Sequence, residues 1–384
     1  MNIPAKKWKK DVLPRRILAI RLQAMGDLVI TLPYLQQLRN SLPADTRLDL
    51  LTREEVEAIP REMELFDRVF SIGGGRNTKK QLALTGLMLP RLWTRRYEVV
   101  IDLQNNIISR MARKFLFPLA WSEFDRFSPI AAGESTRLTI EAIGLGECGI
   151  GQAANSTTPP ARSAKPTATI VTSDRIVITP DATAIGPLGI ATAPRFRLKN
   201  RQAAIDLLKA NGWDTRNELV VLNPAGAFPT RNWDLARYVD FAHLWRRHRP
   251  NTQFLILGTN FIAAKSAYLE SALGPCLINL VGMTTPAQAF AILQQTTLVL
   301  SEDGGLMHMA WVSGIPTLAI FGSTRSDRAR PLGDHTLLMD SSDLPCGNCM
   351  LQRCKYDDTH CLSRYTAEMV FEKAVTLASH ARLY

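Results

Sequence analysis

The sequence predicts an α/β protein built from two Rossmann-like, doubly wound domains that face each other across a cleft. The chain has 384 residues, the length of two domains of ordinary size. Short β-rich runs alternate with stretches of helical periodicity in both halves, as in parallel βαβ units. A stretch rich in Ser, Thr, Ala and Pro, at about 152–194, separates the halves as a linker or insertion. We therefore expect domains at 12–190 and 195–384.

The amino-terminal half begins with an apolar run at 17–22, ILAIRL, which predicts a strand. Leucines from Leu28 to Leu42 follow at helical spacing and predict a helix. The same criteria predict strands at 47–52, 68–73 and 99–103, and helices at 79–93 and 107–115.

The carboxyl-terminal half repeats the alternation of strands and helices. Strands are expected at 219–223, 253–257, 277–281, 297–301 and 317–321, with one more inside the separating stretch at 175–179. Helices are expected at 201–211, 235–247, 263–273, 287–295 and 306–312. Thr285 before Pro286 is typical of a helix start. In this architecture ligands bind at the carboxyl ends of the strands, so the loops after the strands are the candidate functional segments.

The charge of the chain predicts an anionic partner. Lys and Arg number 46 and Asp and Glu 35, a net charge of +11, and residues 1–130 hold 22 basic against 14 acidic residues. Nucleic acid, an acidic membrane surface and a phosphorylated substrate all fit this excess. A hydrophobic content of 46% excludes a disordered chain. Because the charged start has no apolar segment behind it and no apolar run is long enough for a membrane span, we expect a cytoplasmic protein.

Asp27 lies in the turn Ala24-Met25-Gly26-Asp27 between the first strand and the first helix. A carboxylate at this place caps the helix, or it points into the cleft as a general base. The turn lacks the G-x-G-x-x-G spacing of a dinucleotide-binding loop, which argues against a dehydrogenase.

Two further loops between a strand and a helix are suited to bind phosphate. Arg231 follows the small residues of Asn223-Pro224-Ala225-Gly226-Ala227 and is either a diphosphate ligand or an ordinary surface arginine. In Ser301–His308, Gly304 and Gly305 expose backbone amides beside Asp303. His308 alone fits a core histidine equally well.

Four cysteines, Cys346, Cys349, Cys354 and Cys361, lie within sixteen residues. This density is compatible with a structural zinc site, a redox-sensitive thiol cluster or plain packing. The basic stretch Lys6–Lys10 around Trp8 fits an anionic membrane interface, or a frayed, solvated terminus.

The order of these motifs resembles the ADP-heptose:lipopolysaccharide heptosyltransferases, glycosyltransferase family nine. The resembling stretches are ILAIRLQAMGDLVITLPYLQQLR, YEVVIDLQN, NPAGAFPTRNW and VLSEDGGLMHMAWVSGIPTLAIFGSTR, with the Cys-rich LPCGNCMLQRCKYDDTHCL. The resemblance implies a GT-B fold whose amino-terminal domain binds the acceptor and whose carboxyl-terminal domain binds the nucleotide sugar. It implies an inverting transfer of heptose from ADP-heptose to a lipopolysaccharide-core or related glycolipid, with no cofactor required.

The resemblance also implies roles for single residues. Asp27 corresponds to the general base. The residues that correspond to donor ligands are Arg231, Asn260, Asp303, Gly304, Gly305, Leu306 and His308. On the acceptor side we expect Gly26, Arg110 and Arg113. Asn260 stands where members often carry Glu, and Gly304 stands where they carry Thr or Ser, so another nucleotide-sugar donor, a non-lipid acceptor or a non-catalytic sugar-nucleotide binder are the alternatives.

The expected partners follow from this resemblance and from the charge. They are the nucleotide sugar, a phosphorylated glycolipid and the cytoplasmic face of the inner membrane, where the protein would be peripheral. Nucleic acid is not expected, because the sequence shows no basic surface interleaved with aromatic residues. Candidate membrane or acceptor contacts are Lys6–Lys10, Arg91, Arg95, Arg96, Arg110, Arg113 and Lys114.

Overall fold

The computed structural model describes residues 3–145 and 196–380, which form two α/β halves. Each half contains a six-stranded sheet with helices on both faces. The two Rossmann-like domains predicted from the alternation of strands and helices are therefore present. The whole stretch 152–194, including the strand expected at 175–179, lies outside the described residues.

The first sheet has the order β1-β6-β5-β2-β3-β4 and is parallel except for β1, which pairs antiparallel with β6. Its strands are β1 Ala5–Lys6, β2 Arg16–Ile20, β3 Arg47–Arg53, β4 Arg68–Ile72, β5 Val99–Asp102 and β6 Ala120–Glu123. Its helices are α1 Met25–Ser41, α2 Ala58–Glu62, α3 Thr78–Trp93, α4 Ile107–Phe115 and α5 Ala132–Glu141.

The second sheet is parallel throughout, in the order β12-β11-β10-β7-β8-β9. Its strands are β7 Glu218–Asn223, β8 Thr252–Ile256, β9 Leu277–Asn279, β10 Leu298–Glu302, β11 Thr317–Ile320 and β12 Thr336–Met339. Its helices are α6 Arg201–Ala210, α7 Leu235–His248, α8 Ala263–Leu273, α9 Pro286–Leu293, α10 Gly305–Val312, α11 Ser326–Ala329, α12 His360–Ser363 and α13 Ala367–His380. Thr285 caps α9 with a reciprocal bond to Gln288, as the Thr-Pro pair predicts.

The core strands are apolar because helices cover both faces of each parallel sheet. In β2, for example, the four residues from Ile17 to Ile20 are fully buried. This burial explains why periodicity and apolar runs locate most strands and helices. The strands β1, β6 and β12 and the helices α5, α11, α12 and α13 are not among the elements predicted from the sequence. The three strands are two to four residues long and have no clear apolar run.

The two halves pack directly against each other through α1 and α10. Trp311 on α10 is buried, and a side chain at Gly133 of the first half would touch both Trp311 and Tyr34. One apolar core cluster includes residues from both halves, Leu28 and Trp311 among them. The start of α1 is thereby brought next to α10.

The amino-terminal basic stretch is not a frayed end from residue 3 onward. Trp8 is buried in the first core, and its Nε1 donates to the carbonyl oxygen of Val12 at 3.1 Å. Trp8 therefore does not face a membrane, as one interpretation of Lys6–Lys10 required. No helix among the described residues is long and apolar enough to cross a bilayer.

Candidate active site

The candidate site lies where the strand order of each sheet reverses. In the first sheet the reversal is between β2 and β5, and in the second between β7 and β10. Such switch points open a crevice at the carboxyl ends of the strands. The helices α1 and α10 begin at these two crevices, and their first turns lie next to each other.

Asp27 lies in the first turn of α1, and its carboxylate has two described partners. Its Oδ2 accepts a hydrogen bond from the backbone N–H of Ala24 at 3.0 Å and lies 3.0 Å from Nη2 of Arg21. Asp27 thus caps α1, and nearly half of its side chain remains exposed. The second oxygen is free of described partners and can accept a proton from a ligand.

Arg21 is the buried partner of Asp27, which the sequence motifs do not identify. It donates to the carbonyl oxygen of Leu103 and lies over the ring of Phe124, with 5.1 Å from Cζ to the ring centroid. Burial lowers the pKa of the Arg21 guanidinium, and the charge of Asp27 opposes that effect. The buried Arg21 guanidinium therefore fixes the position of the Asp27 carboxylate through its Oδ2 atom.

The loop before Asp27 is positioned by the neighbouring strand β5. Oε1 of Gln104 accepts hydrogen bonds from the backbone N–H groups of Leu22 and Gln23 at 2.9 and 3.0 Å. Asp102 in turn accepts from the N–H groups of Gln104 and Asn105. The stretch YEVVIDLQN therefore matters for the site because its last residues position the turn that carries Asp27.

His308 on α10 lies against the first turn of α1. A Cβ placed on Gly26 would come within 2.9 Å of His308 Cδ2, so only glycine leaves room for the ring. Nδ1 of His308 accepts a hydrogen bond from Nε1 of Trp311 at 3.0 Å. Because an indole N–H can only donate, the neutral imidazole carries its proton on Nε2. Burial lowers the pKa of His308, against the opposing effects of Asp303 and Asp27, so the neutral form is favoured.

Arg231 and Asp303 form an ion pair on the other side of His308. Nη1 of Arg231 lies 3.2 Å from Oδ2 of Asp303, and the hydroxyl of Thr324 donates to the same oxygen at 3.0 Å. The Arg231 guanidinium also lies over the ring of Phe228, 5.2 Å from its centroid. Arg231 is therefore largely shielded from solvent and does not lie on the open surface.

Glu302 organises the loop that contains Arg231. Its two carboxylate oxygens accept hydrogen bonds from the backbone N–H groups of Gly226 at 2.6 Å and Trp233 at 2.7 Å, and the side chain is fully buried. Lys265 on α8 contacts the same loop: its Nζ donates to the carbonyl oxygen of Pro224 at 2.6 Å. Burial raises the pKa of Glu302 to about 7, although Lys265 and both N–H groups lower it.

The remaining predicted donor residues surround the start of α10 and the end of β8. Gly304 precedes the helix, and a Cβ at Gly305 would meet nothing within 4 Å, so the space beside these amides is open. Leu306 is half-buried and packs on the core. Asn260 is exposed, and its side chain fills the space that a Cβ on Gly282 would need. The φ of +74° at Gly282 also favours glycine there.

Of the predicted acceptor residues, Arg110 lies at the crevice edge but Arg113 does not. Nε of the exposed Arg110 donates to Oδ1 of Asn105 at 2.6 Å, just beyond the end of β5. Arg113 is buried, pairs with Glu123 and Asp102 and lies over the ring of Trp121. The expectation that Arg113 contacts acceptor or membrane is therefore wrong, because the face of α4 that carries it packs on the sheet.

The four clustered cysteines are free thiols, with Cys349 exposed and the other three half-buried. Burial, together with the nearby Cys354, Cys349 and Cys346, raises the pKa of Cys361 to about 11. Within residues 3–145 and 196–380, no group of three or more His, Cys, Asp or Glu side chains is arranged to hold a metal ion. The described structure thus does not assemble the zinc site predicted from the cysteine spacing.

The residues that position the two loops are not among those predicted from the motifs. They are Arg21, Gln104, Glu302 and Lys265. Arg21 interrupts an apolar strand run and Glu302 ends another, and a charge at the end of a buried strand is the signal that points to such a residue.

Comparison with known proteins finds a family to which part of this chain is similar. The family model of glycosyltransferase family 9 (heptosyltransferase) matches residues 176–360, which include Arg231, Glu302 and His308. Over this segment, just under half of the chain, the sequence is similar to glycosyltransferase family 9. The resemblance inferred from the motifs is confirmed.

Individual members of family 9 are similar to this chain over different lengths. Lipooligosaccharide heptosyltransferase 2 of Campylobacter jejuni subsp. jejuni serotype O:6 (strain 81116 / NCTC 11828) is 29% identical over 189 residues, which are 48% of this chain and 57% of that protein. The match therefore spans little more than half the length of this curated relative.

Solved structures of family 9 proteins show the same fold over nearly the whole chain. The family 9 glycosyl transferase from Veillonella parvula DSM 2008 has a TM-score of 0.69 at 16% identity and covers 95% of this chain and 98% of its own. E. coli ADP-heptose lps heptosyltransferase II has a TM-score of 0.64 at 14% identity and covers 96% and 99%. The GT-B fold predicted from the sequence is confirmed.

Proposed function

We propose that this chain is a family 9 enzyme, an inverting glycosyltransferase that moves heptose from ADP-heptose to a lipopolysaccharide-core or related glycolipid acceptor. The observation that carries the proposal is the approach of α1 to α10, which brings Asp27, His308 and the Arg231–Asp303 pair around one crevice. The C. jejuni relative is named for lipooligosaccharide and the E. coli structure for ADP-heptose, which supports this choice of donor and acceptor class.

The two halves take different substrates in this proposal. The amino-terminal half, 12–190, presents Asp27 and Arg110 to the acceptor. The carboxyl-terminal half, 195–384, presents Arg231, Asn260 and the loop from Asp303 to His308 to the nucleotide sugar.

The proposed reaction is a single displacement at the anomeric carbon of the donor. Asp27 takes the proton of the acceptor hydroxyl while the hydroxyl oxygen bonds to the anomeric carbon. The bond from that carbon to the diphosphate oxygen breaks on the opposite face, so the configuration inverts and ADP leaves. Arg231 and the amides at the start of α10 stabilise the charge that develops on the diphosphate.

The neutral state of His308 gives it a defined role in the same reaction. Its Nε2–H is a hydrogen-bond donor directed away from Trp311, and it carries no charge that would compete with Arg231 for phosphate. In the proposal this N–H donates a hydrogen bond to an oxygen of the nucleotide sugar, which lies at the junction of the two halves.

The proposal includes a phosphorylated glycolipid and the cytoplasmic face of the inner membrane as partners, and neither nucleic acid nor a catalytic cofactor. Two departures from the family pattern favour a second candidate, a transferase of the same fold with another donor. Asn260 offers a neutral amide where members often carry Glu, and Gly304 offers no hydroxyl beside the diphosphate.

A thermal-shift screen with ADP, UDP and GDP separates these candidates. We expect ADP to stabilise the protein most, since ligand binding to the folded state raises stability in proportion to RT ln(1 + [L]/Kd). Arg231→Ala should lose most of the shift, and the exposed Arg247→Ala on α7 serves as its control. A larger shift with UDP or GDP would reject ADP-heptose as donor, and no shift with any nucleotide would reject the proposed function.

A further inference from the structure

The outer surface of α3 and α4, with residues 116–119, is strongly basic and rich in exposed apolar side chains. We call this surface the α3–α4 face. Residues 76–119 contain nine Lys and Arg against two Asp and Glu, although the whole chain has 46 against 35. Most of the net charge of +11 is therefore carried by 44 residues.

The acidic residues of this segment do not neutralise the face. Asp102 is fully buried beneath α4, where it lies 3.9 Å from the buried Arg113. Glu98 is occupied by Lys10 at 3.7 Å and by the backbone N–H of Arg15. The basic residues left exposed on the face are Arg76, Lys79, Lys80, Arg96, Arg110 and Lys114. Arg91 lies over the ring of Phe70 on β4, 5.4 Å from its centroid, and Arg95 interacts with Asp49 on β3, so neither belongs to the face.

Large apolar side chains are exposed among these charges. Phe117 and Leu87 are each 78% exposed and Ile107 is 63% exposed, while Trp93, Phe115 and Leu119 are about half exposed. Nε1 of Trp93 donates to the carbonyl oxygen of Phe115 at 2.6 Å, which joins the ends of the two helices. The expectation that the chain lacks a basic surface interleaved with aromatic residues is therefore wrong, since this surface forms only when α3 packs beside α4.

Phe117 stands at the end of α4 in an unusual backbone conformation. Its φ of +47° lies in the left-handed region, where glycine or asparagine is the ordinary choice after a helix. The side chain gains no burial in return. A phenylalanine held in solvent at such a position suggests a role outside the folding of the domain.

The face is directed away from the second half of the protein. The inner sides of α3 and α4 pack on the first sheet through four buried residues, Leu92, Ile108, Ala112 and Leu116. The helices α1 and α5 lie with the other apolar cluster, which continues into the second half. At one end, the face reaches the crevice through Ile107 and Arg110, next to Asn105 at the end of β5.

We propose that the α3–α4 face is an interfacial docking surface for a bilayer rich in anionic phospholipid. Aromatic and aliphatic side chains enter the boundary between headgroups and acyl chains, while Lys and Arg contact the lipid phosphates. The inference rests on the proposed function in that a membrane-borne acceptor would then meet the crevice at Ile107 and Arg110. Single-stranded nucleic acid fits less well, because Leu87, Ile107 and Leu119 have no ring on which a base can stack.

Vesicle flotation of the full chain tests this surface with two kinds of variant. Phe117→Asn removes the most exposed ring of the α3–α4 face and leaves a residue that tolerates the left-handed conformation, so it should fold at least as well as the parent. The double variant Arg96→Glu/Lys114→Glu reverses two charges. The controls are Tyr268→Ser, an exposed aromatic on α8, and Lys373→Glu, an exposed cation on α13.

The parent should bind vesicles of phosphatidylglycerol and phosphatidylcholine and lose affinity as salt rises, with little binding to phosphatidylcholine alone. We expect Phe117→Asn to lower partitioning about tenfold and the double variant about a hundredfold or more, with the controls unchanged. Equal binding to neutral vesicles, or unchanged binding in the Phe117 and charge variants, would overturn the proposal. A third result would also overturn it: vesicle binding falls only in the charge variant, and the parent binds single-stranded DNA in a salt-sensitive way. That combination would indicate a surface that binds any polyanion.

The ADP thermal shift, measured on the same samples, keeps the two proposals apart. A normal ADP shift without vesicle binding overturns the docking surface and leaves the transferase intact. Vesicle binding without any nucleotide shift rejects the transferase and leaves the docking surface.

Discussion

Glu302 fixes the loop that presents Arg231 to the crevice. The buried carboxylate holds the N–H groups of Gly226 and Trp233, on either side of Arg231 in the sequence. Arg231 in turn pairs with Asp303, the residue directly after Glu302. One strand end therefore determines where the proposed phosphate-binding arginine lies.

Glu302→Gln should weaken ADP binding, although Glu302 itself does not contact ADP in the proposed complex. Each carboxylate oxygen accepts one N–H, and a glutamine amide can replace only one of them, so one buried N–H loses its acceptor. We expect a loss of about 1–3 kcal/mol in the free energy of unfolding and a rise of roughly tenfold in the Kd of ADP, taken as about 1.4 kcal/mol of lost loop positioning.

Calorimetry and denaturant unfolding measure these two effects, with the exposed Glu372→Gln on α13 as control. An ADP affinity equal to that of the parent would show that Glu302 does not position the loop.

The free energy of unfolding should depend on pH through the titration of Glu302. Burial raises the pKa of this carboxyl from 4.5 to about 7 in the folded state, so between these values the folded protein binds more protons than the unfolded chain. The contribution of Glu302 to the free energy of unfolding must therefore fall as pH rises from about 4.5 to about 7, by at most about 1.4 kcal/mol per pH unit.

The measurement is the difference in unfolding free energy between the parent and Glu302→Gln across that range. The free energy of unfolding of the parent should exceed that of Glu302→Gln by less and less as pH rises. A difference that is constant with pH would contradict the raised pKa.

Gly26→Ala should disturb the junction of the two halves, whereas Gly86→Ala should stabilise the protein. A Cβ at Gly26 meets the His308 ring at 2.9 Å, but a Cβ at Gly86 on α3 meets nothing within 4 Å. The change at Gly86 should add about 0.5–1 kcal/mol through helix propensity. The change at Gly26 should instead lower the melting temperature or displace His308, which the imidazole resonances in NMR spectra report. Equal stabilisation by both changes would mean that the halves do not meet as described.

Most of the fold could be predicted from the sequence because buried parallel strands are apolar over their whole length. The strands β1, β6 and β12 escaped because edge strands and very short strands carry no such signal. The crevice residues Asp27, Arg231 and Asp303 could be predicted because loops after strands are where this architecture binds ligands. The charge of Arg21 in an apolar run marks that residue, but the contacts of Arg21 and Gln104 could not be predicted, since they depend on the pairing of β2 with β5, which local patterns do not specify. Arg113 was misplaced for a similar reason, because its side of α4 faces the sheet.

The most direct test of the proposed mechanism is transfer from ADP-heptose by Asp27→Asn compared with the parent. The amide keeps the shape of the side chain but cannot take a proton from the acceptor hydroxyl. Asp45→Asn, an exposed change before β3, is the control. We predict a loss of at least about a hundredfold in the transfer rate, with the ADP thermal shift largely retained. Transfer by Asp27→Asn at nearly the parental rate would contradict the assignment of Asp27 as the general base.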